Sequence, residues 1–455
     1  MAVKSHKLEF DPPLPLATLK SYAEEIFTPI RRGECVSTIW VPMAGRRVRN
    51  KFIISYPELF KSEIGNQNYL LVYVEPLELT EESHLGFFKL LAQSVAETFH
   101  NSHSDEKLAN PKEYYFSASE YSDQQTRLKS LLKEIIAKGI EIVLFIGEFD
   151  ELNFADSVLY NNLKAVWASL AGKLHFVFLL QKDLTKPEHV AEYGDFNEVL
   201  MQNVVYVPLL LINDIDYLLD YFSKELSREF SPEERNLIIE VCGGHPFLIK
   251  ACTRIIAFLN GNKISTEELR ELLISHYEPR SACQRFFDLL SQEEQQELKK
   301  IVSDKVTDLP SVLKVLMKLG LVVKNGDYWM PFGQLFESAI KSLSQDNSVQ
   351  VEASSGLTFQ EKNGAIFIAG KNVEDKFTRQ EYEVLRFLLS DPEKLRSRDE
   401  IGEAMWGKLA YDKYSDWAID QAMSKIRKKL KKLGADKYLI TVRGRGYKLA
   451  TFSES

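Results

Sequence analysis

The chain has 455 residues, which at roughly 100 to 200 residues per domain predicts about three domains. Apolar residues make up 45% and charged residues 27%, as in folded globular proteins, so global disorder is excluded. The formal net charge of −8 argues against nucleic-acid binding by the whole surface. Residues 356–455 hold 20 Lys and Arg against 15 Asp and Glu, while the rest of the chain holds 37 against 50. The C-terminal part is therefore basic and the remainder acidic.

Targeting and cysteine patterns narrow the class of protein further. No apolar run is long enough to cross a bilayer, and the start MAVKSHKLEFDPP lacks the apolar segment of a signal peptide. We therefore expect a cytoplasmic protein with no membrane partner. Cys35, Cys242, Cys252 and Cys283 show no CxxC spacing and no clustered histidines, which predicts reduced core cysteines and neither a metal site nor disulfides.

Short apolar runs alternate with helical patterns in the first part of the chain. Continuous apolarity is typical of strands covered on both faces, so residues 1–211 are predicted to form an α/β domain with a parallel sheet. The runs are residues 36–42, 69–76, 141–147, 173–180 and 204–211.

Three segments of this region carry further information. They are VSTIWVPMAGRRVRNKF, a strand followed by a Gly/Arg loop; IVLFIGEFDEL, a strand followed by acidic residues; and CGGHPFLIKA. Together they resemble a P-loop ATPase of the AAA+/STAND group, near the archaeal-type ATPases, over residues about 10–340. The resemblance implies a P-loop-like fold with a nucleotide cleft after the first strand.

The phosphate-binding motif of that family is degraded. A working loop needs G-x-x-x-x-G-K-[ST], in which bare amides wrap the phosphates, Lys reaches the β/γ oxygens and the hydroxyl holds Mg²⁺. Aligned with the variant GxRRxGKT over residues 44–51, the second glycine is Arg49, the lysine is Asn50 and the hydroxyl is Lys51. The motif therefore predicts loss of phosphate and metal binding.

The acidic motif is degraded as well. The family's metal-organising aspartate corresponds to Gly147, while the candidate base Glu148 remains, and a base without its metal cannot support phosphoryl transfer. We predict an inactive ATPase and no enzyme activity, with no required cofactor; ATP or ADP could bind without hydrolysis. The alternative is an active ATP-dependent switch with a nonstandard loop. The degenerate nucleotide site comprises Gly45, Arg46, Arg47, Asn50, Lys51, Gly147 and Glu148.

Helical patterns dominate residues 212–341, which are predicted to form a helical lid and a winged-helix-like domain. LKVLMKLGLVVKNGDYWMPF predicts a helix followed by a two-stranded wing that turns at Asn325 and Gly326. The Gly-Gly pair before His245 is typical of a helix end, and His245 is predicted to be a packed structural histidine. The polar, serine-rich residues 342–355 are predicted to be a linker.

The last 100 residues carry several motifs in a fixed order. A short β region precedes FTRQEYEVLRFLL; DPEKLRSRDEIGEAMWG, which ends in Trp406, follows; and IDQAMSKIRKKL and ITVRGRGYKL complete the segment. These residues resemble the OmpR/PhoB-type winged helix. The resemblance implies that residues 356–455 form an α+β winged helix-turn-helix domain that binds double-stranded DNA, with Thr441 as a phosphate contact.

The residues of the predicted recognition helix support this independently. Ile419, Met423, Ile426 and Leu430 recur at helical spacing and predict one buried face. The opposite faces carry polar and basic side chains, among which Gln suits an adenine edge and Lys suits guanine acceptors or phosphates. With the arginines of the wing, the predicted DNA-binding residues are Gln421, Ser424, Lys425, Arg427, Lys428, Thr441, Arg443 and Arg445.

The sequence therefore favours a sequence-specific DNA-binding transcriptional regulator with an inactive STAND-like sensor or oligomerisation region, acting as a homodimer on DNA. Two alternatives remain at this point: the ATP-dependent switch, and a scaffold in which both winged helices bind proteins. A run of charges alone is usually a solvated helix face. Here basic residues lie on both the helix and the wing, which favours DNA over a protein partner.

Overall fold

The computed structural model describes residues 11–103, 108, 121–170, 172–259, 264–345, 357–360, 365–368, 371–373, 376–406, 416–442 and 445–450. The strands are β1 (Val36–Trp40), β2 (Tyr69–Val74), β3 (Glu141–Ile146), β4 (Leu174–Leu180), β5 (Val204–Val207), β6 (Val322–Asn325), β7 (Tyr328–Pro331), β8 (Leu357–Gln360), β9 (Ala365–Ile368), β10 (Lys371–Asn372), β11 (Leu439–Val442) and β12 (Gly446–Leu449).

Helices fill most of the remaining described chain. They are α1 (Leu16–Ile30), α2 (Arg46–Ser55), α3 (Lys61–Ile64), α4 (His84–Ser102), α5 (Tyr121–Ala137), α6 (Ser157–Ala168), α7 (Pro187–Tyr193), α8 (Asn197–Leu200), α9 (Ile212–Glu225), α10 (Pro232–Cys242), α11 (Pro246–Phe258), α12 (Thr266–Ser275), α13 (Tyr277–Asp288), α14 (Gln292–Ser303), α15 (Lys314–Lys318), α16 (Gln334–Gln345), α17 (Arg379–Leu389), α18 (Arg398–Trp406) and α19 (Asp416–Lys432). None of those described is long and apolar enough to cross a membrane.

The chain divides into two compact units. The first comprises residues 1–239, 243–257 and 306–332, and the second comprises residues 240–242, 258–305 and 333–455. The first unit contains a five-stranded sheet in the order β2-β3-β4-β1-β5, in which every pairing is parallel. This confirms the predicted α/β fold, and each strand lies within its predicted apolar run.

The sheet order brings two loops to one edge. All five strands run in the same direction, so the carboxyl ends of β1 and β3, at Trp40 and Ile146, lie at the same edge of the sheet. Ligands of open parallel sheets bind outside this edge. β1 is buried at all five positions, and β3 at five of its six, which fixes both loops on a rigid support.

Later parts of the first unit fit closely around two glycines. A side chain at Gly243 would place Cβ 1.7 Å from the carbonyl oxygen of Phe332, and one at Gly244 would place it 2.3 Å from that of Leu210. Gly243 also ends α10 in the left-handed conformation, which confirms the predicted helix end. The wing formed by β6 and β7 is antiparallel as predicted, and Gly326 turns it with a φ of +61°.

The second unit includes α12, α13, α14, α16 and the C-terminal winged helix. Its first part is an antiparallel sheet in the order β10-β9-β8, followed by α17 to α19 and the hairpin of β11 and β12. Thr378 begins α17 with a reciprocal capping box to Glu381. Five apolar residues in and just before α17 are buried in the C-terminal core: Phe377, Tyr382, Leu385, Leu388 and Leu389.

Candidate functional site

Helix α19 presents the predicted pattern of buried and exposed residues. Ile419, Met423, Ile426 and Leu430 are buried in the C-terminal core. Ser424, Lys425 and Lys428 are exposed, and neither lysine forms an ion pair or hydrogen bond with a described residue. The side chain of Gln421 lies outside the described side chains, as does that of Trp406.

Arg427 has a different environment from the two lysines. Its Nη2 donates to the Leu439 carbonyl oxygen at 3.0 Å and to Thr441 Oγ1 at 2.7 Å, and the side chain is half-buried. Arg427 therefore connects α19 to β11. Thr441 is exposed, and its hydroxyl accepts this bond, which leaves its proton available to a further acceptor.

A second connection lies at the start of α19. Arg398 makes a bidentate ion pair with Asp420, with nitrogen–oxygen distances of 3.0 and 3.1 Å, and the Tyr447 hydroxyl donates to Asp420 Oδ1 at 2.6 Å. The bonds from Arg398 and Tyr447 hold the pKa of Asp420 below its usual value. Sequence reasoning missed this network, because its members come from α18, α19 and β12 and share no motif.

The wing is a tight antiparallel hairpin, as predicted. Val442 pairs with Gly446, and the Arg445 amide donates to the Val442 carbonyl oxygen at 3.0 Å. Arg445 is exposed, whereas Arg443 lies outside the described residues. Gly446 has a φ of +138°, and a Cβ there would lie 1.9 Å from the Arg396 carbonyl oxygen. Glycine is therefore required at this position.

The other predicted site follows β1. Residues 41–45 form a short turn in which the Ala44 amide donates to the Val41 carbonyl oxygen at 3.2 Å, and Gly45 adopts a φ of +85°. Helix α2 then begins at Arg46. Residues 46–51 therefore lie within a helix, where their amides bond to earlier carbonyls after the first turn instead of wrapping a phosphate.

The residues aligned with the lost lysine and hydroxyl make internal contacts. Asn50 is fully buried; its Nδ2 donates to the Arg46 carbonyl oxygen at 2.7 Å, and its Oδ1 accepts from the Tyr22 hydroxyl at 3.0 Å. The Lys51 ammonium lies 4.9 Å from the centre of the Tyr73 ring. Asn50 is thus a structural residue of the described fold.

Carboxylates neutralise the arginines at this edge. Arg46 Nη2 lies 2.9 Å from Glu148 Oε1 and 3.3 Å from Glu151 Oε1, and Arg47 Nε lies 2.8 Å from Glu75 Oε2. Burial raises the pKa of Glu75. Glu148, the predicted base, therefore makes an ion pair with Arg46, which the sequence placed in the predicted phosphate loop.

Gly147, aligned with the family's aspartate, has little space around it for a side chain. A Cβ at Gly147 would lie 3.1 Å from the Tyr73 hydroxyl oxygen and 3.6 Å from Glu75 Oε1. Asp150, three residues later, is buried, and its Oδ2 accepts from the amides of Gln181 and Lys182 at 2.7 Å. Asp150 therefore caps the end of β4, and the described residues contain no cluster of His, Cys, Asp or Glu suited to a metal.

His245 is buried next to the turn after β1. Its Nε2 lies 3.0 Å from the Pro42 carbonyl oxygen, and because a carbonyl only accepts, Nε2 carries the proton. Burial lowers the pKa of His245 to about 4, so the ring is neutral at pH 7. This position fits the predicted role of a packed structural histidine.

Sequence comparison identifies the C-terminal domain. Residues 372–449 match the family described as "Transcriptional regulatory protein, C terminal". The chain is 34% identical over 71 residues to the phosphate regulon transcriptional regulatory protein PhoB of Escherichia coli K12, a match that covers 16% of this chain and 30% of PhoB. It therefore spans less than a third of that relative. Residues 372–449 form an OmpR/PhoB-type winged-helix domain of the transcriptional regulators.

Solved structures match both parts of the chain. The DNA-binding domain of the response regulator AdeR, in complex with an intercistronic region, is 27% identical and covers 21% of this chain and 95% of its own, with a TM-score of 0.19. The Walker-type ATPase PABY2304 of Pyrococcus abyssi is 12% identical and covers 70% of this chain and 95% of its own, with a TM-score of 0.46.

Proposed function

We propose that the protein is a transcriptional regulator that binds specific sequences of double-stranded DNA through α19 and the wing of β11 and β12. The observation that carries the proposal is the exposed set of Ser424, Lys425 and Lys428 on a helix fixed to the wing by Arg427. An α-helix fits the major groove, where Lys reads guanine acceptors, and the remaining cations neutralise phosphates.

Arg427 contributes to this proposal by positioning. Its two bonds to β11 fix the angle between α19 and the wing, so the two elements can contact DNA in one register. Thr441 and Arg445 are exposed on the same hairpin and supply further phosphate contacts, with Arg443 beside them in sequence and Gln421 as an additional base contact from α19. Two copies of the chain occupy repeated half-sites as a homodimer.

The test of DNA recognition is selection of bound sequences from a random duplex pool by the full chain, with and without ATP. We expect one enriched motif that repeats at a fixed spacing, and we expect Lys425→Ala to change the preferred base at one or two positions. An exposed lysine of the first unit, Lys61, provides the control, since Lys61→Ala should leave the motif unchanged. Absence of any enriched motif would favour the protein-binding scaffold instead.

We also propose that the first unit does not hydrolyse ATP. Three observations support this: residues 46–51 are helical, Asn50 is buried in internal hydrogen bonds, and Glu148 is paired with Arg46. Phosphoryl transfer needs a placed metal, an in-line water and a free cation on the transferred group. A phosphate-release assay with Mg²⁺ and ATP should give the buffer rate. Magnesium-dependent turnover that Glu148→Gln abolishes would establish the ATP-dependent switch.

A further inference from the structure

A cleft of about 820 Å³ lies in the first unit, beside the turn after β1. Its walls come from that turn and from α2, α9 and α11, and its size lies within the range of small-molecule sites. Five aromatic side chains belong to the lining: Phe52, Tyr56, Tyr221, Phe222 and Phe247.

Several apolar side chains in this lining are open to solvent. Val48 is 56% exposed, Met43 is 38% exposed and Tyr221 is 37% exposed. An apolar concave surface that the protein does not fill is the usual wall of a ligand site. The wall favours a ligand with a hydrocarbon or aromatic body.

Arg49 supplies a charge to the same cleft. Arg49 is only 6% exposed, yet its guanidinium makes no hydrogen bond or ion pair with any described residue. The guanidinium Cζ lies 5.1 Å from the centre of the Trp40 ring. Burial lowers the pKa of Arg49 to about 10, so the group stays protonated at neutral pH. The Asp214 carboxylate raises the pKa of Arg49 but forms no ion pair with its guanidinium, so this buried charge has no directly bound anion.

The other cations of the cleft have partners. Arg47 is paired with Glu75, Lys51 lies over the Tyr73 ring, and Lys250 lies 5.9 Å from the centre of the Phe222 ring. Asp11 and Glu225 add negative charge to the wall. The cleft therefore offers one cation without a direct partner, which suits a ligand with a single anionic group. A nucleoside triphosphate carries several negative charges and does not match it.

We propose that this cleft binds an amphipathic monocarboxylic acid, with its carboxylate on Arg49 and its apolar body against the aromatic wall. An N–H group of the guanidinium donates a charge-assisted hydrogen bond to the carboxylate, and the open apolar lining buries the hydrocarbon. This ligand site goes beyond the proposed DNA binding and does not depend on it, because the Arg49 contacts lie within the first unit.

The test is calorimetric titration of the full chain with dodecanoate below its micelle concentration, with dodecanol as the neutral control. We expect saturable binding of one dodecanoate per chain and about 10- to 100-fold weaker binding of dodecanol, the usual worth of a charge-assisted bond. Arg49→Met should lower the affinity for dodecanoate to that for dodecanol. The variant should keep the melting temperature of the wild type, because the substitution removes a buried charge that has no direct partner.

A second pair of variants keeps the test decisive if Arg49→Met unfolds. Val48→Glu places a carboxylate in the exposed lining and should abolish dodecanoate binding, whereas Val158→Glu, at a site 51% exposed on α6, should not. Absence of dodecanoate binding, equal affinities for dodecanoate and dodecanol, or equal affinities in the Val48→Glu and Val158→Glu variants would overturn the proposal. So would Arg49-dependent binding of ATP in place of dodecanoate. None of these outcomes bears on DNA selection.

Discussion

The basic residues at the start of α2 and those along α19 have opposite environments. Arg46 and Arg47 lie within 3 Å of the carboxylates Glu148 and Glu75, whereas Lys425 and Lys428 are exposed and unpaired among the described residues. An ion pair inside the protein leaves little net charge for an external phosphate, while solvated lysines release counterions when they meet DNA. The two basic segments therefore differ in how much unpaired positive charge they leave for a ligand.

The difference also shows how a basic motif should be judged. In α2, the arginines contribute to the packing of the sheet edge, since burial raises the pKa of Glu75, which is only 3% exposed, and the charge of Arg47 opposes this shift. In α19, Arg427 has such an internal role, and so has Lys429, whose Nζ lies 2.6 Å from Glu381 Oε2, whereas Lys425 and Lys428 do not. Pairing with a carboxylate or backbone oxygen distinguishes structural cations from those available to a ligand.

The largest loss of stability is expected from a substitution at Gly446, where the wing contacts the rest of the C-terminal domain. Gly446→Ala would force a Cβ to within 1.9 Å of the Arg396 carbonyl oxygen at a φ of +138°, so we expect a loss of about 3 kcal/mol or more in the free energy of unfolding of the C-terminal domain. DNA binding should be lost with it. Urea unfolding and DNA titration of the full chain measure both.

A matched glycine separates backbone conformation from steric contact. Gly434 also has a positive φ, of +71°, but nothing lies within 4 Å of a Cβ built there. Gly434→Ala should cost only about 1 kcal/mol. Equal losses for the two variants would contradict the close approach at Gly446.

The next effect tests the exposed lysines directly. The double variant Lys425→Ala, Lys428→Ala should weaken DNA binding by about 1 to 3 kcal/mol, and the slope of log affinity against log salt should fall by about one unit for each phosphate that is no longer neutralised. Fluorescence anisotropy over a salt series measures it. Arg443→Ala with Arg445→Ala should flatten the slope in the same way while preserving sequence preference.

The comparison requires that cations of the first unit, whether exposed or paired with carboxylates, behave differently from Lys425 and Lys428 in this assay. Lys61→Ala with Lys133→Ala removes two exposed charges from the first unit and should leave the salt slope unchanged. The same holds for Arg46→Ala with Arg47→Ala. A slope that falls equally in all the double variants would mean that DNA responds to net charge and that α19 has no special part.

A third change attempts to restore the missing aspartate. Gly147→Asp would place a carboxylate against Tyr73 and the buried Glu75, so we expect a loss of about 2 kcal/mol in stability and no magnesium-dependent ATP hydrolysis. Gly147→Ala is the control, because it adds the same Cβ without charge and should cost less. Turnover in the aspartate variant would show that the site retains more of an ATPase than its ion pairs indicate.

The smallest effect concerns pH. Because Arg398 and Tyr447 lower the pKa of Asp420 in the folded state, the stabilisation is complete at neutral pH and is lost as pH falls through that lowered value. The pair is partly exposed, so Asp420→Asn should cost at most about 1 kcal/mol at pH 7. Melting temperatures of wild type and variant should differ at pH 7 and converge below about pH 4. A constant difference down to pH 3 would exclude the ionised form as the cause.

Local patterns in the sequence determined the element types, the parallel sheet, the wing at Asn325 and Gly326, the winged helix-turn-helix motif and the buried face of α19. These depend on periodicity, turn residues and capping, which act between residues close in the chain. The absence of a G-x-x-x-x-G-K-[ST] motif after the first strand was also visible, because it is a property of the sequence itself.

Tertiary structure alone decided which charges are free. Arg46 meets Glu151 across 105 residues because β1 and β3 end at the same edge of the sheet, and Arg427 meets Thr441 because the hairpin folds back onto α19. No spacing in the sequence predicts either pairing, because strand order and helix packing bring these residues together. For the same reason, the sequence placed Arg49 in a phosphate motif, and only the packing of α2 beside Trp40 left its guanidinium buried without a directly bound carboxylate.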